Sequence, residues 1–489
     1  MNAVLRARGT ALGVLSAAML MTILDGSIVT VALPAIQHDL GFSPTGLSWT
    51  VNAYLIAFGG LLLLAGRLGD LVGRKAMFLA GNAVFTAASL LAGAATSPAV
   101  LIAARFLQGI GSAMAAAVVL GILVTLYTEP AERARAIGIF SFTGAAGASL
   151  GQVLGGVLTD ALNWHWIFLI NLPIGLLTIL LALPALPRDR GAGLAAGADV
   201  AGALLVTSGL MLGIYTVVKI EQYGVLSAHT LGLGALAVAL LAGFTVRQAT
   251  ARNPLMPLRI LRSRTTSGAY LTEILAFSGM FSFQVMVALY MQNVLGYGAL
   301  ETGLAMLPAA VAIGTISLLV YARLARRFGE RAVLLAGLVM LAAALALLVR
   351  VPVHAAYAAD LLPPMLLIAG GGLVMPALTG IAMSGARPED AGLASGLFNT
   401  AQQIGMATGV AVLSTLAAAR TDSLLAAGDT AAAALTGGYR LAFGVGAALL
   451  AAAFAVAVLV LRTPKPGGAE KAGGDAAAPA EPSTSSVTL

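Results

Sequence analysis

Long apolar runs restrict most strongly what this chain can fold into. Fourteen runs of about 20 residues follow one another, and a helix that rises 1.5 Å per residue needs about that length to cross 30 Å of hydrocarbon. Apolar residues make up 59% of the chain and charged residues 10%, against about 25% charged residues in soluble domains. We therefore predict an all-α integral membrane protein with 14 transmembrane helices, at residues 10–33, 49–66, 76–96, 98–127, 134–160, 164–187, 199–219, 229–248, 266–295, 301–322, 331–350, 358–384, 391–418 and 438–461.

The basic residues lie mainly on one side of these predicted spans. Twenty-two of the 27 Lys and Arg residues fall on one side, four on the other, and Arg105 lies inside a span. Because cytoplasmic loops of membrane proteins are rich in Lys and Arg, we expect a multi-pass protein with both termini in the cytoplasm. The basic residues form no patch, so nucleic acid is not an expected partner. Residues 463–489, rich in Pro, Gly, Ser and Thr, are predicted to form a disordered cytoplasmic tail.

One loop occurs twice in the chain. The sequence Gly66–Lys75 follows the second span, and a weaker copy, Ala322–Arg331, follows the tenth. Both contain a basic residue, Leu, a small residue, a charged residue, Gly and a basic end, which indicates two related bundles, although basic cytoplasmic loops can also resemble one another by chance. The predicted domains are residues 1–187 (six-helix bundle), 188–265 (inserted helix pair and central cytoplasmic loop), 266–462 (second six-helix bundle) and 463–489 (tail).

Four motifs carry a resemblance to a known family. Gly66–Lys75 resembles the loop signature of the major facilitator superfamily. Residues 24–34 and 105–111 are similar to the first-helix and fourth-helix motifs of its fourteen-helix drug:proton antiporter branch. Residues 147–156 resemble the fifth-helix antiporter motif, with Gln152 in place of the usual proline. The resemblance implies two six-helix bundles plus an inserted pair, and proton-coupled secondary active export of drugs or antibiotic-like amphipathic compounds by alternating access.

The same resemblance implies the partners and the location. The expected partners are a small amphipathic or cationic substrate, protons and the lipid bilayer, and the expected location is the bacterial plasma (inner) membrane. Because one chain contains both repeats, a monomer is expected. No cofactor or metal is predicted, since the chain has no cysteine and its four histidines share no metal-ligand spacing.

Other functions fit the sequence less well. A dedicated exporter of one endogenous metabolite or antibiotic is the alternative within the transporter class. An intramembrane enzyme would need clustered catalytic groups, and HExxH and Ser–His motifs are missing. A receptor would need a soluble output domain, yet no loop longer than 30 residues is predicted outside the tail. No lysine follows a glycine, so a P-loop of the usual form for ATP hydrolysis is also missing.

Three charged residues within the predicted spans are candidates for proton coupling. A charge in hydrocarbon costs several kcal/mol, so Asp25, Arg105 and Glu273 need a reason to be there. Asp25 and Arg105 are predicted about 13 and about 10 Å below the outer surface, which permits a buried pair or a shared water cavity. Asp25 is the first candidate for the proton carrier, with Arg105 tuning it, and a static salt bridge is the alternative. Glu273 either binds a cationic substrate, carries a proton or reaches back to the headgroups.

Two further groups of residues are predicted to control the gate. In the fifth span Gly147, Gly151 and Gly155, together with Gly156, form a stripe of small residues that lets a neighbouring helix approach closely. The resemblance implies that this packing seals one side of the substrate cavity. In the repeated loop, a latch between helices is predicted, and a plain solvated loop is the alternative. The residues of this gating loop are Gly66, Asp70, Gly73, Arg74 and Lys75.

Overall fold

The computed structural model describes residues 2–461 except 43–46, 48, 190, 192, 194–198, 225–226, 252–253, 257, 259, 261–262 and 385–390. The predicted tail, 463–489, lies outside the described residues. All regular secondary structure of the described part is helical. The main helices are α1 Asn2–Leu40, α2 Trp49–Val72, α3 Arg74–Gly93, α4 Pro98–Leu126, α5 Pro130–Ala161, α6 Asn171–Ala185, α7 Val200–Tyr223, α8 Ala228–Thr250, α9 Arg264–Asn293, α10 Ala299–Thr315, α11 Glu330–Leu348, α12 Gly371–Ser384, α13 Ala391–Ala426 and α14 Ala431–Val460.

These helices confirm an all-α membrane protein. Thirteen helical stretches of the described residues are long and apolar enough to cross a membrane. Helix α5 is not among the thirteen, although its 32 residues would extend about 48 Å. The count of fourteen transmembrane helices therefore stays a prediction that depends on α5.

Local sequence explains where several helices begin. Pro98 and Pro130 occupy the first turns of α4 and α5, where a missing N–H costs no helical hydrogen bond. Gly73 and Gly329 have φ angles of +109° and +82° and directly precede α3 and α11. A side chain other than glycine rarely adopts this backbone conformation. The two copies of the repeated loop therefore end on the same conformational feature.

Two spans of the second half are not continuous α-helices. Helix α10 continues through a π-helical turn, Ile316–Val320, into the helix Tyr321–Phe328. Helix α12 is preceded by a π-helical turn, Tyr357–Leu361, then by helical residues 362–367 and a 3₁₀ turn, Ile368–Gly370. Such irregular turns often mark functional positions in helices. One of them, at Ser317, contacts the first half of the chain, because the Ser317 hydroxyl donates to the carbonyl of Gly138 over 3.0 Å.

The helices pack in two groups with a pair between them. In the first half, α1 packs on α5 and α6, and α4 packs on α2 and α3. In the second half, α9 packs on α13 and α14, and α11 on α12 and α14. Helices α7 and α8 pack on each other, and α7 also lies against α2 and α13, one helix from each half. The predicted division into domains, with its boundaries, stays a prediction.

Candidate transport and gating site

A buried polar cluster surrounds Asp25 in the first half of the chain. The Asp25 carboxylate accepts hydrogen bonds from Arg105 Nη1 at 2.5 Å, Gln108 Nε2 at 3.0 Å and Asn171 Nδ2 at 2.7 Å. Asp25 is fully buried, and the side chain of Arg105 is 1% exposed. The structure therefore brings together the two charges that the sequence places at similar depth, and it adds two amide donors on α4 and α6.

The same cluster holds the arginine from several sides. Arg105 Nε donates to the carbonyl of Thr50 at 2.9 Å, and its guanidinium lies 4.6 Å from the ring centroid of Tyr54 and 5.8 Å from that of Phe168. Gln108 Nε2 also donates to Ser89 Oγ at 2.8 Å. The cluster thus joins side chains or carbonyls of α1, α2, α3, α4 and α6. A charge pair this well supplied with partners is suited to hold helices in place.

Glu273 lies in a different environment. It is fully buried in α9, and no described group donates a hydrogen bond to either of its carboxyl oxygens. The hydroxyl of Tyr270, one turn earlier, likewise has no partner in the described chain. Helix α9 packs against α13 and α14, and Gly405 of α13 lies against Ile274, next to Glu273. A buried carboxylate without partners is costly, so this arrangement favours the neutral acid.

The glycines of α5 bring this helix close to α1. A Cβ atom on Gly151 would lie 2.8 Å from the carbonyl oxygen of Leu24, and one on Gly155 would lie 2.9 Å from that of Ile28. A Cβ atom on Gly147 would lie 3.2 Å from the side chain of Ile23, whereas one on Gly156 would meet nothing within 4 Å. Three of the four glycines therefore form the contact face. Gly156 is rotated about 100° from Gly155 and points away from α1.

The side chain of Gln152 lies outside the described residues. Its backbone belongs to α5, between Gly151 and Gly155. The structure therefore shows what the flanking glycines contact. The effect of having glutamine in place of the family's proline stays a prediction.

Asp70 joins the two halves of the chain. One of its carboxylate oxygens accepts from Arg74 Nε at 3.0 Å, from Arg74 Nη2 at 2.9 Å and from the backbone N–H of Gly392 at 2.9 Å. The other oxygen accepts from the N–H of Leu393 at 2.8 Å. Gly392 and Leu393 form the first turn of α13, where backbone N–H groups lack helical partners and a negative charge is favoured. Asp70 is thus an anchor between α2 and α13.

Close backbone contact accompanies this anchor. A Cβ atom on Gly66 would lie 2.6 Å from the carbonyl oxygen of Gly392 and 3.3 Å from Cα of Gly396. Asn399 Nδ2, further along α13, donates to the carbonyl of Ala116 at 3.4 Å. We call the end of the molecule that carries the Gly66–Lys75 loop the loop end. The contacts of α13 with α2 and α4 close the two halves on each other there.

Lys75 and Asp189 fasten the loop to the end of α6. Lys75 Nζ donates to the carbonyls of Leu183 and Leu186 at 2.6 and 2.7 Å. The Asp189 carboxylate accepts from the backbone N–H groups of Arg74, at 2.5 Å, and Lys75, at 3.1 Å. Asp189 therefore caps the N-terminus of α3. Sequence reasoning missed it, and its only signal is an acid between Arg188 and Arg190 just beyond a span end.

The second copy of the loop repeats part of this arrangement. Arg331, the counterpart of Lys75, donates from Nη2 to the carbonyl of Val458 at 2.6 Å, at the end of α14. Each copy therefore uses its last basic residue to bind the C-terminal carbonyls of the last helix in its half. Arg326, the counterpart of Asp70, is exposed. The acid anchor belongs to the first copy, which explains why the second copy is the weaker match.

In the part of the chain that the structure describes, no group of three or more His, Asp or Glu side chains is placed to hold a metal ion. The ionisable groups that the geometry brings to attention are the Asp25 cluster, Glu273 and the Asp70 anchor. These residues lie within the two groups of helices, and Asp70 links the two groups at the loop end. Comparison with known proteins identifies this arrangement.

Residues 15–410 match the family model described as Major Facilitator Superfamily. The chain belongs to the major facilitator superfamily. The puromycin resistance protein pur8 of Streptomyces alboniger is 38% identical over 479 residues, which cover 96% of this chain and 94% of that protein. The cephamycin export protein CmcT of Amycolatopsis lactamdurans is 39% identical over 416 residues, which cover 84% of this chain and 85% of that protein.

A solved structure agrees on the fold. The human organic anion transporter MFSD10 (TETRAN) superposes with a TM-score of 0.65 and 18% identity, covering 92% of this chain and 99% of that chain. The predicted resemblance to the major facilitator superfamily and its drug exporters is confirmed by the family match and the relatives. The protein is therefore a multi-pass membrane transporter of the drug and antibiotic exporter type, and it is not an enzyme.

Proposed function

We propose that this protein exports an amphipathic, antibiotic-like compound from a bacterial cytoplasm in exchange for protons, as a monomer with both termini in the cytoplasm. Two relatives that cover most of the chain are named for resistance to puromycin and for export of cephamycin. The predicted excess of Lys and Arg on the side of the termini supports the orientation. Exchange for protons supplies the driving force that a chain without a P-loop needs.

The observation that carries proton coupling is the environment of Glu273. The carboxyl is fully buried and has no hydrogen-bond partner in the described chain. A carboxyl in such a place holds its proton, and it releases the proton once water or a cationic group reaches it. Alternating access moves helices such as α9 between these two environments. Glu273 therefore has the properties of a proton carrier.

Asp25 takes a different role in this proposal. Its charge is balanced by Arg105 and by two amide donors, and the pair is closed off from solvent. These hydrogen bonds hold the carboxylate against α4 and α6. We assign Asp25 and Arg105 to positioning α1 against α4 and α6, and we assign the proton to Glu273. This reverses the order in which the sequence ranks the two acids.

The loop end is the proposed cytoplasmic gate. Asp70 binds the N-terminus of α13 across the two halves, and Lys75 and Asp189 hold the loop on α6 and α3. With the termini in the cytoplasm, this end faces inward. In this proposal, the contacts at the loop end correspond to a closed cytoplasmic side. Opening requires that the Asp70 carboxylate leave the N–H groups of Gly392 and Leu393.

Transport of puromycin in proteoliposomes with an imposed pH gradient tests this proposal. Wild-type protein should accumulate puromycin against its gradient when the pH gradient is present. The Glu273→Gln variant keeps the shape of the neutral acid and cannot release a proton. It should lose uphill accumulation and keep downhill exchange. Glu129→Gln, the same change at an exposed position before α5, is the matched control and should behave as wild type. Uphill accumulation by Glu273→Gln would refute the assignment.

A dedicated exporter of one antibiotic is the second candidate. It is supported by the relatives themselves, because pur8 and CmcT are each named for a single antibiotic class. Susceptibility of a pump-deficient host that expresses the protein separates the two candidates. Protection against structurally unrelated cationic and neutral drugs supports a multidrug exporter, whereas protection against one class, removed by a proton uncoupler, supports the dedicated one.

A further inference from the structure

A groove runs along the outside of the second half, at the end opposite the loop end. Its volume is about 670 Å³, and it lies where the ends of α11 and α13 meet the start of α14. Most of the residues that line it are apolar or small. Its charged residues are Arg420, Asp429 and Arg440, and its apolar lining includes Leu441, Val445 and Ala448.

The two guanidinium groups of this groove are available to a ligand. Arg440 is exposed and is held by one hydrogen bond, from Nε to the carbonyl of Val351 at 2.8 Å. Its remaining guanidinium nitrogens, and all those of the exposed Arg420, have no hydrogen bond or ion pair with a described residue. Asp429, in the turn between α13 and α14, also has no side-chain partner among the described residues.

These arginines lie on the predicted outer side, where the chain has few basic residues. Only four of the 27 Lys and Arg residues lie on the predicted outer side, and two of them, Arg420 and Arg440, line this one groove. Basic residues are rare on outer loops, and surplus basic residues there work against the orientation of the protein. Two of them beside one cavity therefore indicate a ligand that carries negative charge.

The apolar part of the groove extends into the membrane span, as the acyl chain of a lipid does. Leu441, Val445 and Ala448 lie at positions i, i+4 and i+7 of α14, so they form one stripe along the helix. The stripe begins next to Arg440 and continues about 10 Å into the span. Basic groups at the membrane surface above an apolar track match a molecule with a polar head and an acyl chain.

We propose that this groove binds a phospholipid with a phosphate and a primary amine, phosphatidylethanolamine, in the outer leaflet. Arg420 and Arg440 bind the phosphate, since guanidinium groups pair with phosphate oxygens through charge-assisted hydrogen bonds. Asp429 binds the ammonium group. An acyl chain lies along Leu441, Val445 and Ala448. The two guanidinium groups supply donors for the phosphate and the glycerol oxygens, and Asp429 supplies the partner for the ammonium. A headgroup without an ammonium group, such as that of phosphatidylglycerol, would leave Asp429 without a cationic partner on the lipid.

Native mass spectrometry of the full-length protein from bilayers of equal phosphatidylethanolamine and phosphatidylglycerol tests the site. The wild type should retain phosphatidylethanolamine in preference to phosphatidylglycerol. Arg420→Ala should lower the retained fraction about threefold, and the double variant Arg420→Ala/Arg440→Ala roughly tenfold. The side chain of Arg420 is exposed and has no hydrogen bond or ion pair with a described residue, so its single variant separates lipid binding from folding. Arg350→Ala, a nearby exposed arginine outside the groove lining, is the matched control and should leave retention unchanged.

Asp429→Asn tests the headgroup. It should keep total lipid binding and remove the preference for phosphatidylethanolamine over phosphatidylglycerol. Equal retention of lipid by wild type and by the double arginine variant would overturn the site. A wild-type preference for phosphatidylglycerol would overturn the assignment of the headgroup. Displacement of the bound lipid by inorganic phosphate, with no dependence on an acyl chain, would mean a soluble anion is the ligand and would also overturn the proposal.

Discussion

Two carboxyl groups in the interior of this transporter, those of Asp25 and Glu273, differ in their hydrogen-bond partners. Asp25 accepts hydrogen bonds from Arg105, Gln108 and Asn171, whereas Glu273 accepts none from the described residues. Both are fully buried. The cost of burying a charge depends on its partners, so we expect these two carboxyl groups to serve different roles.

Loss of the Asp25 charge should therefore affect stability first. Asp25→Asn leaves the Arg105 guanidinium buried without its anion, which costs about 3–5 kcal/mol. We expect a clear fall in the thermal unfolding temperature of the detergent-solubilised protein. The double variant Asp25→Asn/Arg105→Gln removes both charges and should recover part of the loss. If Asp25→Asn unfolded at the wild-type temperature and still transported poorly, this view would be wrong, and Asp25 would be assigned as the proton carrier.

Simple helix geometry predicts part of the Asp25 cluster. Counting residues from Pro34 and from Pro98 places Asp25 and Arg105 at similar depth, because rise per residue is constant in a helix. Rotation about the helix axis and contacts with distant helices are not contained in such a count. The donors Gln108 and Asn171, and the isolation of Glu273, depend on how α4, α6 and α9 pack, so they needed the structure.

At the scale of helices, the contact between α5 and α1 is sensitive to side-chain size. Gly151 and Gly155 leave room for the carbonyls of Leu24 and Ile28. A Cβ atom at either glycine would lie too close to the carbonyl oxygen that it faces. Such contacts allow one helix to slide or rotate against another without side chains in the way. A residue with a larger side chain would wedge the helices apart.

Gly155→Leu should therefore impair transport, and Gly156→Leu should not. A Cβ atom at Gly155 would lie 2.9 Å from the Ile28 carbonyl oxygen, whereas one at Gly156 meets nothing within 4 Å. Overpacking of this kind costs about 1–3 kcal/mol. Both variants should insert at normal levels, and a transport assay should separate them at least tenfold. Equal transport by the two variants would mean that the α1–α5 contact does not limit the cycle.

The order of the helices could be predicted from the sequence, but their irregular turns could not. Apolar runs predict spans at 98–127 and 331–350, and the structure has helices Pro98–Leu126 and Glu330–Leu348 there. The π-helical turns Ile316–Val320 and Tyr357–Leu361 leave no trace in hydropathy, since one extra residue in a turn does not change composition. These turns depend on packing between helices that are distant in sequence.

For the whole molecule, Asp70 and Gly66 take part in the closure at the loop end. Asp70 accepts two backbone N–H groups of α13, and Gly66 lies against Gly392. The sequence predicts a latch among Asp70, Arg74 and Lys75, but its partner lies more than 300 residues away, at a helix start that no motif marks. Hydrogen bonds to a charged group contribute about 1.5–3 kcal/mol, enough to set the ratio of two states of a transporter.

Asp70→Asn should shift the protein towards a state that is open at the loop end. The amide keeps the size of the side chain but removes the charge that the α13 N-terminus favours, so the population of the open state should rise about tenfold. The chain has no cysteine, so Ser395→Cys, a fully buried residue of α13 between Gly392 and Asn399, gives a single reporter. In inverted membrane vesicles an impermeant maleimide should label it several-fold faster in the Asp70→Asn background. A cysteine at the exposed Glu132 is the matched control and should react equally in both backgrounds. Faster labelling of Ser395→Cys in right-side-out vesicles would place the loop end outside the cell, and an unchanged rate in both orientations would remove Asp70 from the gate.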